Sequence, residues 1–385
     1  MKSIVIVGGG SGGVSVANHL AYNLRGEMRS GNVSITVVEG SKSHYYQPGF
    51  LEIPFGMLEK DETYRPVEKM LARGIKLVNG MVKKIDLVGK KVHLDNRAID
   101  YDFIVIATGA SYNYDAVPGL RENTENMYSF QNAVDLEKKI SGFNGGNIAV
   151  GVSSLPYKCT PAPLETVFLL DDYFRKRGVR DRVSITYFFP LPISFPGKDI
   201  APAFDRMMKK RNIEERLGFN IKSVDGAKKE LVSSGGDSIK YDLAIVVPPH
   251  RGAQVILDSG IGDQDGWIPV DKFTLQIDSH DNAYAIGDST NLMVSKAGSV
   301  ADAQAIVVSE RIASSIHGDE PVQRYDGTGG ALVLTGSKKA AMVNSSYDRP
   351  PVMLEENESF YWLKLIYNRV YWTVTEKAVL SEVIQ

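Results

Sequence analysis

One cysteine, Cys159, stands in a chain of 385 residues. No intramolecular disulfide can form, and a cysteine-based zinc site lacks its ligands. So rare a thiol fits a reducing compartment, or else a single working residue. Charge of one sign is not in excess either. The 44 Lys and Arg against 46 Asp and Glu leave a formal charge of −2, which excludes a global electrostatic pull toward nucleic acid. Long hydrophobic runs are missing: nowhere do about 18 apolar residues run together, so no spanning helix is expected. The opening MKSIVIVGGGSGG has too short an apolar core for a secretory signal and no Ala-x-Ala site after it. An intracellular chain is expected, one that can still lie on a membrane. No H-E-x-x-H pair occurs, and no metal is expected. What is present, 43% hydrophobic and 23% charged residues, is ordinary for a globular protein, and the length suggests two to three domains.

Ile4-Val5-Ile6-Val7 reads as a buried parallel strand. Gly8-Gly9-Gly10-Ser11-Gly12-Gly13 follows, and then a helical pattern from about Val14 to Leu24. Gly8, Gly10 and Gly13 fill G-x-G-x-x-G. The first permits the tight turn, the second lets a pyrophosphate approach the backbone, and the third lets helix and strand pack closely. The helix N-terminus offers free N–H groups and a positive dipole end to the phosphates. A second strand, Val33 to Val38, ends at Glu39, an acid placed to accept from ribose hydroxyls. It lies 26 residues after Gly13, beyond the usual ~20, and the polar stretch Arg25–Asn32 accounts for the excess.

The glycine motif alone does not separate FAD from NAD. Two later segments do. Tyr101–Ala110 is a strand ending in Ala107-Thr108-Gly109, and Ala283–Asp288 is a strand ending in Gly287-Asp288. The trio resembles the two-dinucleotide-domain flavoproteins, the glutathione-reductase-like superfamily. That resemblance implies FAD, with the Ala-Thr-Gly strand beside it and the Asp288 carboxylate on a ribityl hydroxyl. It also implies that the helix opened by Ser295-Lys296-Ala297-Gly298 aims its N-terminal amides at the flavin pyrimidine ring, that Lys296 adds positive charge there, and that Pro48 of His44-Tyr45-Tyr46-Gln47-Pro48-Gly49 sits near the flavin. The cofactor-binding set is Gly8, Gly10, Gly12, Gly13, Glu39, Gly40, Pro48, Ala107, Thr108, Gly109, Gly287, Asp288, Lys296 and Gly298.

In that superfamily a second Rossmann unit usually binds NAD(P)H. The corresponding strand here, Asn147 to Val152, runs into Ser153-Ser154-Leu155-Pro156-Tyr157-Lys158-Cys159. The second and third glycines are absent, and side chains would block a pyrophosphate. A long helical stretch, Leu164–Lys176, and a strand, Val183–Phe188, still follow. The fold of the unit is expected to survive without its phosphate site, so a pyridine nucleotide is not the expected electron donor or acceptor. The loop that replaces the glycines places Cys159 before a helix, where a thiol pKa is expected to be depressed. Here the chain resembles the sulfide:quinone oxidoreductase family, which carries a cysteine near Pro, Ala and a Glu six residues downstream. Cys159 and Glu165 fit that spacing. The family implies sulfide as donor, a membrane quinone as acceptor, Cys159 as nucleophile or persulfide carrier, and Glu165 as a proton acceptor.

Phe360 to Trp372 is the densest aromatic stretch, six of thirteen residues. Leu363, Ile366, Tyr367, Val370 and Val374 recur at helical spacing as one apolar stripe flanked by Lys364 and Arg369. Such a helix can lie in the headgroup region; an oligomer interface or a core-closing helix is the alternative. The family resemblance favours a membrane or dimer region that helps line a quinone pocket, with Tyr347, Phe360 and Trp362 as quinone-contact candidates.

The chain departs from the family at one point. Family members use at least two redox cysteines, and the second belongs in Tyr325–Gly336, where Ala331 fills its slot. A further cysteine of some members falls at Met127–Phe130. Without a resolving partner, internal thiol–disulfide exchange cannot run. The expected architecture is α/β: two Rossmann-like domains plus a C-terminal amphipathic membrane or dimer region. The expected division is 1–115 with 271–320 for FAD, 116–270 for the second unit and 321–385 for the C-terminal region. The expected activity is an FAD-dependent sulfide:quinone oxidoreductase, peripheral on a membrane and homo-oligomeric, impaired if Ala331 replaces a needed cysteine. A type-II NADH:quinone reductase and a non-catalytic flavoprotein sensing sulfur species are the alternatives.

Overall fold

The computed structural model describes residues 1–377. The apolar β-branched runs form two parallel sheets. In the first, the strand Lys2–Val7 lies between Val33–Glu39 and Phe103–Ile106, with Lys76–Asn79 and Ala283–Ala285 at the two edges. Every strand of this sheet pairs in parallel. Ile4, Ile6, Ile35, Val37, Ile104 and Ile106 are almost fully buried, as strands covered on both faces must be. Burying one such side chain stabilises the fold by roughly 1.5–3 kcal/mol. The helix Ser11–Asn23 and the long helix Gly298–His317 pack against each other over this sheet.

The second sheet orders Ile213–Leu217, Val183–Phe189, Gly146–Val152 and Leu243–Val247, again all parallel. The helix Ala162–Lys176 packs on it and is buried all round from Ala162 to Asp171. The short antiparallel pair Ala110–Tyr112 and His250–Gly252 carries the chain between the sheets.

After the helix 298–317, three antiparallel strands, Gly329–Gly336, Lys339–Ser345 and Val352–Asn357, form a small sheet. The C-terminal helix Glu358–Lys377 closes on it and on the helix Ser11–Asn23. This helix lies the opposite way round from a usual amphipathic one. Asn368 and Tyr371 are buried and Lys364 is nearly so, whereas Trp362 (52% exposed), Leu363 (44%), Ile366 (56%) and Val370 (36%) face outward. Leu363, Ile366 and Val370 of the apolar stripe thus lie on its outer face, whereas Tyr367 of the same stripe turns inward, as does Lys364, expected to flank it. Val374, the last member of the stripe, lies outside the residues whose side chains are described. Among the described residues no helix is long and apolar enough to cross a membrane.

Candidate active site

The glycine turn has the geometry a dinucleotide needs. Gly8 has φ +107°, and a Cβ there would meet the Ala107 carbonyl at 2.4 Å; at Gly13 it would meet the Gly8 carbonyl oxygen at 1.8 Å. Only glycine fits either position. At Gly10 and Gly109 a Cβ would point into open space. Gly12 faces Ile286 and Ala301, and Gly40 lies under the Met81 sulfur. The first hydrogen bond of the helix is Val14 N–H to Gly10 O, 2.9 Å, so the N–H groups before it have no partner inside the helix. The Glu39 carboxylate accepts from Gly9 N–H at 2.5 Å and Ser41 N–H at 2.6 Å. It braces the turn, and each oxygen keeps a further lone pair for a ribose. Among the described residues, Thr108 Oγ1 in the strand–Ala-Thr-Gly segment is buried without a partner. A glycine cradle, an acid at the second strand end and an orphaned hydroxyl fit an adenine dinucleotide.

From this turn a cavity of about 280 Å³ extends toward the second sheet. Pro48, Asp288, Lys296 and Gly298 line it, together with Cys159, Glu165, Ala331, Lys364 and Tyr367. The structure thus gathers the expected flavin residues, the lone thiol and the C-terminal helix around one space. Met127 and Tyr128, where some family members carry another cysteine, line it too. Tyr347, Phe360 and Trp362 do not. Tyr347 donates to the Lys272 carbonyl at 2.9 Å and packs on Phe273 and Tyr325. Phe360 packs against the core of the second sheet, and Trp362 faces outward.

Cys159 is fixed to the segment that would face a flavin. Its N–H donates to the Lys296 carbonyl at 2.8 Å, its own carbonyl accepts from Ala162 N–H at 2.9 Å, and Thr160 and Ser295 pair their hydroxyls at 3.2 Å. Its φ of +56° lies in the left-handed region. Its electrostatics reverse the expected low pKa. Burial, and after it the Glu165 carboxylate, pushes the thiol up to about 12, over the opposing pull of Lys364 and the Ala162 N–H. The helix N-terminus is present, but desolvation and a neighbouring anion outweigh it.

Glu165 is 1% exposed and accepts from Leu334 N–H at 2.8 Å, three residues along the strand from Ala331; Lys364 Nζ stands 3.5 Å from it. Burial alone would lower the Lys364 ammonium, but Glu165 and Glu52 hold its pKa above the usual lysine value. Lys296 is 6% exposed rather than a surface lysine. It donates to the carbonyls of Asp288 and Thr290 and lies 4.1 Å over the Trp267 ring. Burial pulls it down to about 8.

Several lining residues carried no sequence signal of their own. Lys158 donates to Gln47 at 2.7 Å and faces the Tyr112 ring. Asp302, in the second turn of the helix 298–317, has its pKa raised by burial. For Lys364 and Asn368 a signal existed: an i, i+4 polar pair within an aromatic helix marks one face. Among the described residues no group of three or more His, Cys, Asp or Glu could hold a metal ion.

Fold and cradle define the class: residues 2–306 match the family described as pyridine nucleotide-disulphide oxidoreductase, and the chain belongs to it, an FAD flavoprotein with two dinucleotide-binding folds. The chain is 30% identical over 97% of its length, and 85% of theirs, to the mitochondrial sulfide:quinone oxidoreductase of Dictyostelium discoideum. It is 27% identical to the mouse enzyme of that name, over 91% of this chain and 79% of the other. The solved sulfide:quinone oxidoreductase of Aquifex aeolicus superposes with a TM-score of 0.87, covering 98% of this chain and 92% of that one at 19% identity, a likeness of fold. Within the broader family, the chain belongs to the sulfide:quinone oxidoreductases.

Proposed function

We propose that the chain oxidises sulfide at Cys159 and passes two electrons to a quinone, so that hydrogen sulfide and quinone together give sulfane sulfur and quinol. One observation carries this reading. Cys159, the flavin-facing segment 295–298 and the C-terminal helix line a single cavity, while the second nucleotide fold has lost its phosphate glycines. FAD, when bound, supplies a two-electron carrier between donor and acceptor. Gly8, Gly10, Gly13 and Glu39 would hold its nucleotide end, and Asp288, Lys296 and the N-terminus of the helix 298–317 its ring end. The Cys159 thiol and hydrogen sulfide would become a cysteine persulfide, the new S–S bond releasing two protons and two electrons, and the electrons would end on the quinone as quinol. The pair Glu165 and Lys364 is placed to hold a proton released there. The outward Trp362, Leu363, Ile366 and Val370 present an apolar strip to a lipid surface, so a quinone would enter from the side of the C-terminal helix. This reading divides the chain into an FAD unit (1–115 with 271–320), a second unit (116–270) and a C-terminal region (321–385).

Anaerobic titration of the purified yellow protein tests it. Bleaching of the flavin by sulfide supports the reading, and bleaching by NADH alone would replace it with a type-II NADH:quinone reductase. Ala331, in the slot of a second cysteine, favours one further possibility, a non-catalytic flavoprotein that senses sulfur species. Bleaching by neither reductant would point there, unless Ala331→Cys restores the sulfide response.

A further inference from the structure

The C-terminal helix reaches past the cavity and onto the glycine turn itself. The Tyr371 hydroxyl lies 2.9 Å from Oγ of Ser11, the first residue of the helix that follows the turn. It also lies 2.7 Å from Nε2 of His44, whose Nδ1 lies 2.9 Å from the Gly9 carbonyl. A carbonyl can only accept, so Nδ1 carries the proton and Nε2 accepts from Tyr371 O–H, leaving the tyrosine oxygen to accept from Ser11 O–H. Burial lowers the His44 pKa, which suits a neutral ring locked in that tautomer. The tyrosine ring is held as well, 4.4 Å from Tyr46 between centroids. One turn earlier, the Asn368 amide donates to both oxygens of buried Glu52 at 2.7 and 2.8 Å and accepts from Tyr46 O–H at 2.6 Å.

The turn needs such support. A pyrophosphate is bound by backbone N–H groups, so its affinity depends on how those peptide planes point. The glycines that open the space for it have no side chains with which to fix them. We infer that Tyr371 is a positioning residue of the FAD site: through Ser11 and His44 it holds the pyrophosphate-binding turn in its binding geometry, so that a residue 360 positions away in sequence governs retention of the nucleotide.

FAD release, followed by flavin fluorescence after dilution of the holoenzyme, tests this without sulfide or quinone, and so independently of the proposed donor and acceptor. Tyr371→Phe keeps the ring and removes the hydroxyl. Release is expected to quicken roughly three- to tenfold, the worth of a neutral hydrogen bond. Ser11→Ala should quicken it too, and the double variant should release FAD no faster than the quicker single one, because both remove one bonded unit. Ile366→Ser, on the outer face of the same helix, should leave release within twofold. Unchanged release in Tyr371→Phe would overturn the inference. So would independent, multiplying effects of the two hydroxyl deletions, or an equal effect of Ile366→Ser.

Discussion

The two nucleotide folds of this chain start from the same plan and end at different chemistry. Each runs an apolar strand, Lys2–Val7 or Gly146–Val152, into a loop and then a helix. In the first, the loop is the bare backbone of Gly8 to Gly13. In the second, Ser153 to Cys159 fill the place with side chains, and the helix that follows opens at Ala162 beside a thiol. Both helices pack well, so strand–helix packing does not depend on the phosphate site. What the glycines provide is access. Once access is given up, the same helix N-terminus can serve a side chain of its own, and the loop is free to bond to the other half of the protein, as Cys159 does to Lys296.

Changes on the two sides should therefore separate cleanly. The largest effect is expected at the thiol. Cys159→Ser should retain FAD but lose sulfide-dependent flavin reduction by about a thousandfold, as loss of a nucleophile does; stopped-flow bleaching measures it. Next comes Gly13→Ala, whose methyl would stand 1.8 Å from the Gly8 oxygen. Overpacking costs on the order of 1–3 kcal/mol, and flavin content after purification should fall sharply. Gly151→Ala, crowded by the Phe188 carbonyl and ring, should lower the Tm and leave the flavin-to-protein ratio of the folded fraction unchanged. If it too emptied the flavin, the two folds would not be separable.

A third expectation concerns pH. In the FAD-free protein the thiol, pushed up to about 12, is protonated at neutral pH. Its thiolate fraction rises about tenfold per pH unit below that value, so alkylation of Cys159, read by mass spectrometry, should climb steadily from pH 7 to 10 without a plateau. Glu165→Gln removes a nearby negative charge and should speed alkylation several-fold at fixed pH. A plateau near neutrality would mean that the helix N-terminus prevails over burial after all. The smallest effect is expected outside the cavity. Trp362→Ala should weaken partition onto liposomes by roughly 1–2 kcal/mol and leave reduction of a water-soluble quinone unchanged.

Backbone constraints were the legible part of this molecule. Gly8 and Gly13 announce themselves because no other residue fits a turn of that curvature, and the apolar runs around them can only be buried strands. The pairing of Cys159 with Glu165 was legible only through the family resemblance, which carries a Glu six residues after its cysteine. The sign of the thiol's pKa shift was not, because it depends on Glu165 and on desolvation by segments far away in sequence. Nor was the inward face of the C-terminal helix. Its polar partners lie 316 and 327 positions distant, Glu52 for Asn368 and His44 for Tyr371. Helical periodicity reports that a face exists. It does not report which face turns inward when the buried one is polar and paired and the apolar one is left outside. Trp362, a quinone candidate, falls under that ambiguity, since it stands on the outer side.

The backbone of Cys159 has a consequence of another kind. A residue with a Cβ held at φ +56° costs roughly 1–2 kcal/mol relative to a relaxed one, and glycine would be free of that cost. A selection for thermal stability alone would therefore tend to replace the one thiol of the chain with glycine and return a sturdier protein with no sulfur chemistry.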